Sequence, residues 1–375
     1  APSTGAAEQS VTDDYGWCHG IADLTSGEEY AVFAGTGSNS TNGCASETDD
    51  SRAINVLELA SDGNTIQNRI QATVSSTDSS GFTLNFTSVG ESEQIQYIAY
   101  QFDASAEVDA GFASTPTSTG VQSYSTGFAP DFVKLVGQPR ATSTSETIQD
   151  TADWGLSHGW LTPNSQHAMA FTSYSKNVDD HVWSAYDDRC LAIRHADSKG
   201  GATGDTEASG ALTSNGFDLD YSTVDGTGEL FLYLAISAEE GFEVQTTNAP
   251  ESPTTAETLG NFKDAYITGN ASIGDFTGTG YSGGNQEAIS YGWSHGVATE
   301  SGNQAVLAVG ASSNSINTHR WYANDADSVR IMHTGQNAKD DGSEDATITQ
   351  LDNSGVYLDW TAAAAAENNT LAESH

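Results

Sequence analysis

Tyr15-Gly-Trp-Cys-His-Gly20, Trp154-Gly-Leu-Ser-His-Gly159 and Tyr291-Gly-Trp-Ser-His-Gly296 are three copies of one signature, an aromatic and a glycine closed by His-Gly. Their histidines, His19, His158 and His295, lie 139 and 137 residues apart (158 − 19 and 295 − 158). A pattern this specific, recurring at near-constant spacing, marks an internal repeat, and a repeat constrains the architecture before any single element does.

Further landmarks keep the same step. A short apolar run follows each signature: Ala31-Val-Phe-Ala34, Ala168-Met-Ala-Phe171 and Ala305-Val-Leu-Ala308. An acidic turn then leads into a segment that is apolar at every second position, in 49–56, 187–194 and 325–332. Downstream, Gly81, Gly216 and Gly355 each follow small polar residues and precede an alternating run, which predicts a hairpin turn entering a strand. A closing strand follows at 95–100 and 230–235, whereas the third copy runs into Ala362–Ala366 and a polar tail. An opening strand, Gly127–Val136, is matched by Gly260–Ile267, and only 14 residues precede Tyr15.

Helical signals are nearly absent, and the alanine run near residue 365 reads as a terminal turn. The fold class is therefore all-β, with three tandem, related β-sandwich modules over 1–112, 113–245 and 246–375. The first module lacks an opening strand and the last a closing one, which points to edge strands exchanged between units or between subunits. Stretches 105–120 and 240–258, rich in Ser, Thr, Pro and acids, read as linkers.

The chain carries 51 acidic and 12 basic residues, a net charge of −39, with 37% hydrophobic and 9% aromatic residues. The acid is interspersed with apolar runs, so it forms the skin of folded modules rather than a disordered tail. Such a skin repels itself in dilute buffer and is screened in molar salt, where the Debye length is about 3 Å. Lysine-poor, carboxylate-rich surfaces of this kind resemble those of proteins from extreme halophiles. No basic stripe is present to neutralise phosphates, which argues against nucleic acid as a partner. No apolar run is long enough for a transmembrane helix, so membrane insertion is not expected. Ala1-Pro-Ser-Thr shows no charged-then-apolar leader and reads as a chain that has lost its initiator Met.

Candidate chemistry is sparse. Cys18, Cys44 and Cys190 form no disulfide framework; a Cys18–Cys44 pair is open, and Ser157 and Ser294 replace Cys18 in the other copies, against a catalytic thiol. His19, His158 and His295, with Trp17 and Trp293 beside them, read as fold-determining: each is confined to its own copy, with no H-x-H or H-E-x-x-H spacing. His195 and His333 read as face residues after the acidic turn. The acidic turns, Asp49 and Asp50, Asp187 and Asp188, Asp325 and Asp327, offer ligands for Ca²⁺, Mg²⁺, Na⁺ or K⁺, but a solvated loop is the preferred reading and no cofactor is expected. No G-x-S-x-G, P-loop or dinucleotide fingerprint is present, and nothing in the chain asks for an enzyme. Trp160, Trp183, Trp321 and Trp360 sit beside polar turn residues, where loop aromatics stack on sugars.

Thr126-Gly-Phe-Ala-Pro-Asp-Phe-Val133, the Trp/His-Gly region, Ser214-Asn-Gly-Phe217 and Tyr233-Leu-Ala235 resemble concanavalin-like (lectin or jelly-roll) sandwich modules of tailed-virus virion proteins. The resemblance covers roughly 120–240 and reaches the flanking copies only through the shared landmarks. With the salt-adapted composition, it implies a virion surface protein of a halophilic archaeal virus: a capsid decoration, turret or tail-fibre part made in the host cytoplasm. Its partners would be other virion proteins, further copies of itself, and a host surface glycan or S-layer. The alternatives are a secreted or cell-surface carbohydrate-binding protein of a haloarchaeon and, behind it, a glycan-active enzyme.

Overall fold

The computed structural model describes residues 7–11, 15–36, 44–59, 66–78, 81–90, 95–139, 142, 147–149, 153–174, 181–195, 204–238, 242–248, 255–259, 264–273, 286–287, 290–299, 303–312, 319–324, 327, 329–334, 340–352, 355–362 and 368–374. Among them every regular element is a strand, and the fold is all-β, of the β-sandwich class.

Each signature is itself a strand: Tyr15–Asp23, Asp153–Leu161 and Ser290–Thr299. Each opens an antiparallel three-strand run. The second strands are Glu28–Thr36, Gln166–Tyr174 and Gln304–Ser312, and the third are Cys44–Asp49, His181–Tyr186 and His319–Asn324. The register is the same in all three, with His19 opposite Val32, His158 opposite Met169 and His295 opposite Leu307.

Period-two alternation explains the signature. In Asp153–Leu161, Trp154, Leu156 and Trp160 enter a core shared with Val32, Ala34 and Cys44 of the first run and Val297 of the third. Leu161, on the opposite face, enters a separate core with Cys190, Leu191, Ile193, Phe217 and Leu219. The strand is buried on both faces, which is why, apart from Asp153 and His158, it is apolar or small rather than apolar-in and polar-out. Its second glycine is a spacing requirement. A Cβ on Gly159 would lie 1.7 Å from the Cys190 carbonyl oxygen, and one on Gly20 1.7 Å from that of Ala53.

A second sheet faces each run. The hairpins predicted around the three glycines form, pairing Asp78 with Gly81, Thr213 with Gly216 and Asp352 with Gly355. Gly216 adopts φ +150°, and a Cβ there would meet the Tyr124 carbonyl oxygen at 2.0 Å. Only a glycine lets Gly120–Ser125 pair alongside.

The edges are exchanged in a closed cycle within the chain. Thr147–Gln149, just ahead of the second signature, pairs with Cys44–Asp49 of the first run. Gln286–Glu287, ahead of the third signature, pairs with His181–Tyr186 of the second. Ala7–Val11, ahead of the first, pairs with His319–Asn324 of the third. Each run is thus capped by a segment from the next, which removes one open edge from each of the three signature sheets.

Several sequence-based expectations fail here. The linker stretches contain strands Glu107–Ser114 and Glu243–Asn248 and most of Thr255–Leu259, because their scattered apolar positions find strand partners that composition alone does not reveal. The boundaries at 112/113 and 245/246 fall inside two of these strands. The third copy does have a closing strand, Asn368–Ser374, built from the polar tail and paired with Asp264–Ile273. Among the described residues, 95–100 of the first copy join no ladder. All three cysteines are free. Cys18 and Cys44 are on strands separated by Glu28–Thr36 and out of register, with Cys18 opposite Phe33 and Cys44 opposite Thr36, beyond the roughly 7 Å Cα reach of a disulfide. The alanine run near 365 lies outside the described residues.

Candidate functional site: a buried three-histidine centre

The inward-facing position before each signature's last glycine is histidine, and the three runs bring these side chains together. The ring centroids of His158 and His295 are 4.5 Å apart, those of His19 and His158 5.1 Å, and those of His19 and His295 6.1 Å. Trp17 stacks on His295 at 4.7 Å, and Trp160 lies over His158 at 6.0 Å. The histidines read from sequence as separate structural residues therefore form one centre, roofed by aromatics from the same signatures.

Electrostatics keep this centre uncharged. Burial pushes His158 well below the ordinary histidine range, and the neighbouring His295, His19 and Lys134 push it further. Burial followed by Lys134 does the same to His19, and burial followed by His19 and Lys134 to His295. His158 and His295 are buried and His19 is half-buried, and neutral imidazoles so placed act as aromatic packing groups with polar edges. Their nitrogens do not converge as a metal site would require. Among the described residues, the group of three His, Cys, Asp or Glu side chains whose ligand atoms lie within 4.8 Å of one another is a different one: His195, Asp225 and Glu229.

That second group belongs to the middle copy and corrects the reading of His195 as a face residue. His195 is 2% exposed, with Nδ1 2.9 Å from Asp153 Oδ2 and Nε2 2.8 Å from Glu229 Oε1. Burial alone would lower its pKa, but hydrogen bonds to the two buried carboxylates and their charges outweigh burial and raise it to about 10. Thr206 Oγ1 donates to the other Glu229 oxygen at 3.1 Å. Next to it, buried Arg194 bridges Asp205 and Glu207, the latter at 2.9 Å, and donates to Ser184 Oγ. Asp225 Oδ2 is 3.9 Å from His195 Nε2. The N/O donor set suits a divalent ion, but any ion would have to displace the imidazolium proton that already balances the carboxylates. Composition hides this cluster: with 51 acids, no pair stands out in the sequence.

The other predicted site residues are dispersed. Trp160 is fully buried and offers no stacking surface. Trp183, Trp293, Trp321 and Trp360 are on strands His181–Tyr186, Ser290–Thr299, His319–Asn324 and Gly355–Ala362, with side chains outside the described residues. Asp49 is buried and paired with Arg52 at 2.6 Å, its other oxygen accepting from Ser51. Asp50 and Asp187 are exposed, and Asp188 is exposed and paired with Arg189. Asp327 is half-buried, and Asp325 lies outside the described residues. Among the described residues, none of these turns belongs to a group with converging ligand atoms.

Compared with protein-family models, with curated proteins and with solved structures, the chain matches none.

Proposed function

We propose that this chain is a non-enzymatic structural protein of the virion surface of a halophilic archaeal virus, serving as a capsid decoration, turret or tail-fibre part. The observation that carries the reading is the closed cycle of strand exchange around the three-histidine centre. The residues repeated most faithfully are spent on locking three sandwich layers into one body rather than on lining a cleft. A covalently continuous, threefold-like body with −39 net charge suits a part that must stay folded and separate on a particle in concentrated salt. Recognition of a host glycan or S-layer is the narrower version of this role, and buried Trp160 takes no part in it.

The test is mass spectrometry of purified particles with antibody labelling. The protein is expected in particles at a copy number set by capsid or tail symmetry. Its absence from particles, with recovery in the culture fluid or on the cell envelope, would overturn the reading in favour of a cell-surface binding protein.

A further inference from the structure

Asp225 and Glu229 flank the turn Gly226-Thr227-Gly228 between strands Gly216–Thr223 and Leu230–Ser237, and His195 lies just past strand Leu191–Ile193. Gly226 and Gly228 take φ +89° and +76°, a conformation that glycine adopts without strain and that turns the chain sharply here. Both carboxylates reach the same ring nitrogen. His195 Nε2 is 2.8 Å from Glu229 Oε1 and 3.9 Å from Asp225 Oδ2.

The other polar atoms of these three side chains are already held. Nδ1 of His195 faces Asp153 Oδ2 at 2.9 Å. Thr206 Oγ1 donates to Glu229 Oε2 and accepts from the Asp225 amide, both at 3.1 Å. Asp225 Oδ1 accepts from the Thr227 amide at 2.6 Å, and Thr227 Oγ1 is 2.8 Å from both Asp225 oxygens. His195 Nε2 is different. It is buried, and its short approach to Glu229 lies off the ring's N–H axis, so no well-formed hydrogen bond ends on it.

The geometry points to a zinc site: we propose that His195 Nε2, Glu229 Oε1 and Asp225 Oδ2 bind one Zn²⁺, with water completing the shell on the side of half-buried Asp225. Around an ion with ligands at about 2.0–2.1 Å, neighbouring ligand atoms lie roughly 3 to 3.5 Å apart, so the observed 2.8 and 3.9 Å bracket what is needed. Asp153 then takes the place of the carboxylate that orients a metal-bound histidine through its other ring nitrogen, and Thr206 and Thr227 orient the two acids. Three carboxylates, Asp153, Asp225 and Glu229, face this one imidazole, and a divalent ion offsets one more of their charges than the proton it displaces. The imidazole nitrogen in the set favours Zn²⁺ over Mg²⁺ or Ca²⁺, which prefer oxygen throughout. The bound ion would tie turn 225–229 to the segment carrying His195.

The test uses the full chain, freed of metal with a chelator, in multimolar KCl. Calorimetric titration with Zn²⁺ should show one site, and Mg²⁺ at the same concentrations should not fill it. D225N changes a half-buried residue on a surface turn and should weaken zinc binding by about tenfold or more, and H195Q should abolish it. Co²⁺ in place of Zn²⁺ should give a visible absorption band that D225N shifts or weakens. Absence of binding would overturn the proposal. So would zinc held as tightly by D225N as by the parent chain, or Mg²⁺ filling the site equally well, since either result would assign the ion to the acidic surface. Should H195Q fail to fold, D225N and the cobalt band decide the matter. None of these results bears on whether the protein is found in particles.

Discussion

A methyl group at residue 159 would sit 1.7 Å from the Cys190 carbonyl oxygen, a backbone atom that cannot rotate away. Gly159→Ala is therefore expected to force the two sheets apart and to cost about 3 kcal/mol, the upper end for overpacking, read as a lowered midpoint in denaturant titration. The histidines beside these glycines and His195 make stability depend on pH from opposite directions. His19, His158 and His295 have folded-state pKa values held below 6.5, so the unfolded chain binds protons first as pH falls through that value. Each should remove about 1.4 kcal/mol per pH unit below about 6.5. His195 works the other way. Its pKa is raised from 6.5 to about 10, so its contribution is complete below 6.5 and is lost as pH climbs towards 10. Thermal melts at constant salt should peak near neutrality. A melt unchanged between about pH 5 and 6.5, above the range where carboxylates titrate, would mean that the three imidazoles are solvated in the fold and take up protons there as they do in the unfolded chain.

At the scale of elements, short exchanged strands do the joining. Ile148 is the central residue of a three-residue strand, opposite Ala45 on the edge of the first run. Ile148→Pro removes a ladder donor and should free that edge. Amide exchange over Cys44–Asp49 is expected to accelerate, while exchange over His181–Tyr186, capped by a different segment, stays as it was. Equal acceleration at both sites would mean that the cycle opens as a whole. The repeated glycines and the alternation made these hairpins legible in the sequence. The exchanged segments, of five, three and two residues, were not legible as strands, because so few residues carry little periodicity.

For the whole molecule, cooperativity follows from the shared core. Trp154, Trp160, Met169 and Phe171 bury their side chains against Val32, Ala34 and Val297 from the other two runs. A fragment of residues 107–238 retains the sandwich core around Leu135, Leu161, Phe217 and Phe231 but loses that second contact layer. It is expected to show red-shifted tryptophan emission, to bind a hydrophobic dye, and to unfold several kcal/mol below the intact chain, in line with large apolar groups left unburied. A fragment with native emission and unchanged stability would mean that the modules fold independently.

The sequence by itself determined that the chain is all-β, that it is built on a recurring signature, and where its hairpins turn. Period-two alternation and glycine placement are local properties, written within a dozen residues. Only the tertiary structure decided that three histidines about 138 residues apart share one centre, that His195 lies between buried carboxylates, and that each signature sheet borrows an edge strand from another copy. Those outcomes depend on which surfaces meet after the strands form, and among so many acids and small polar residues no local pattern singles them out.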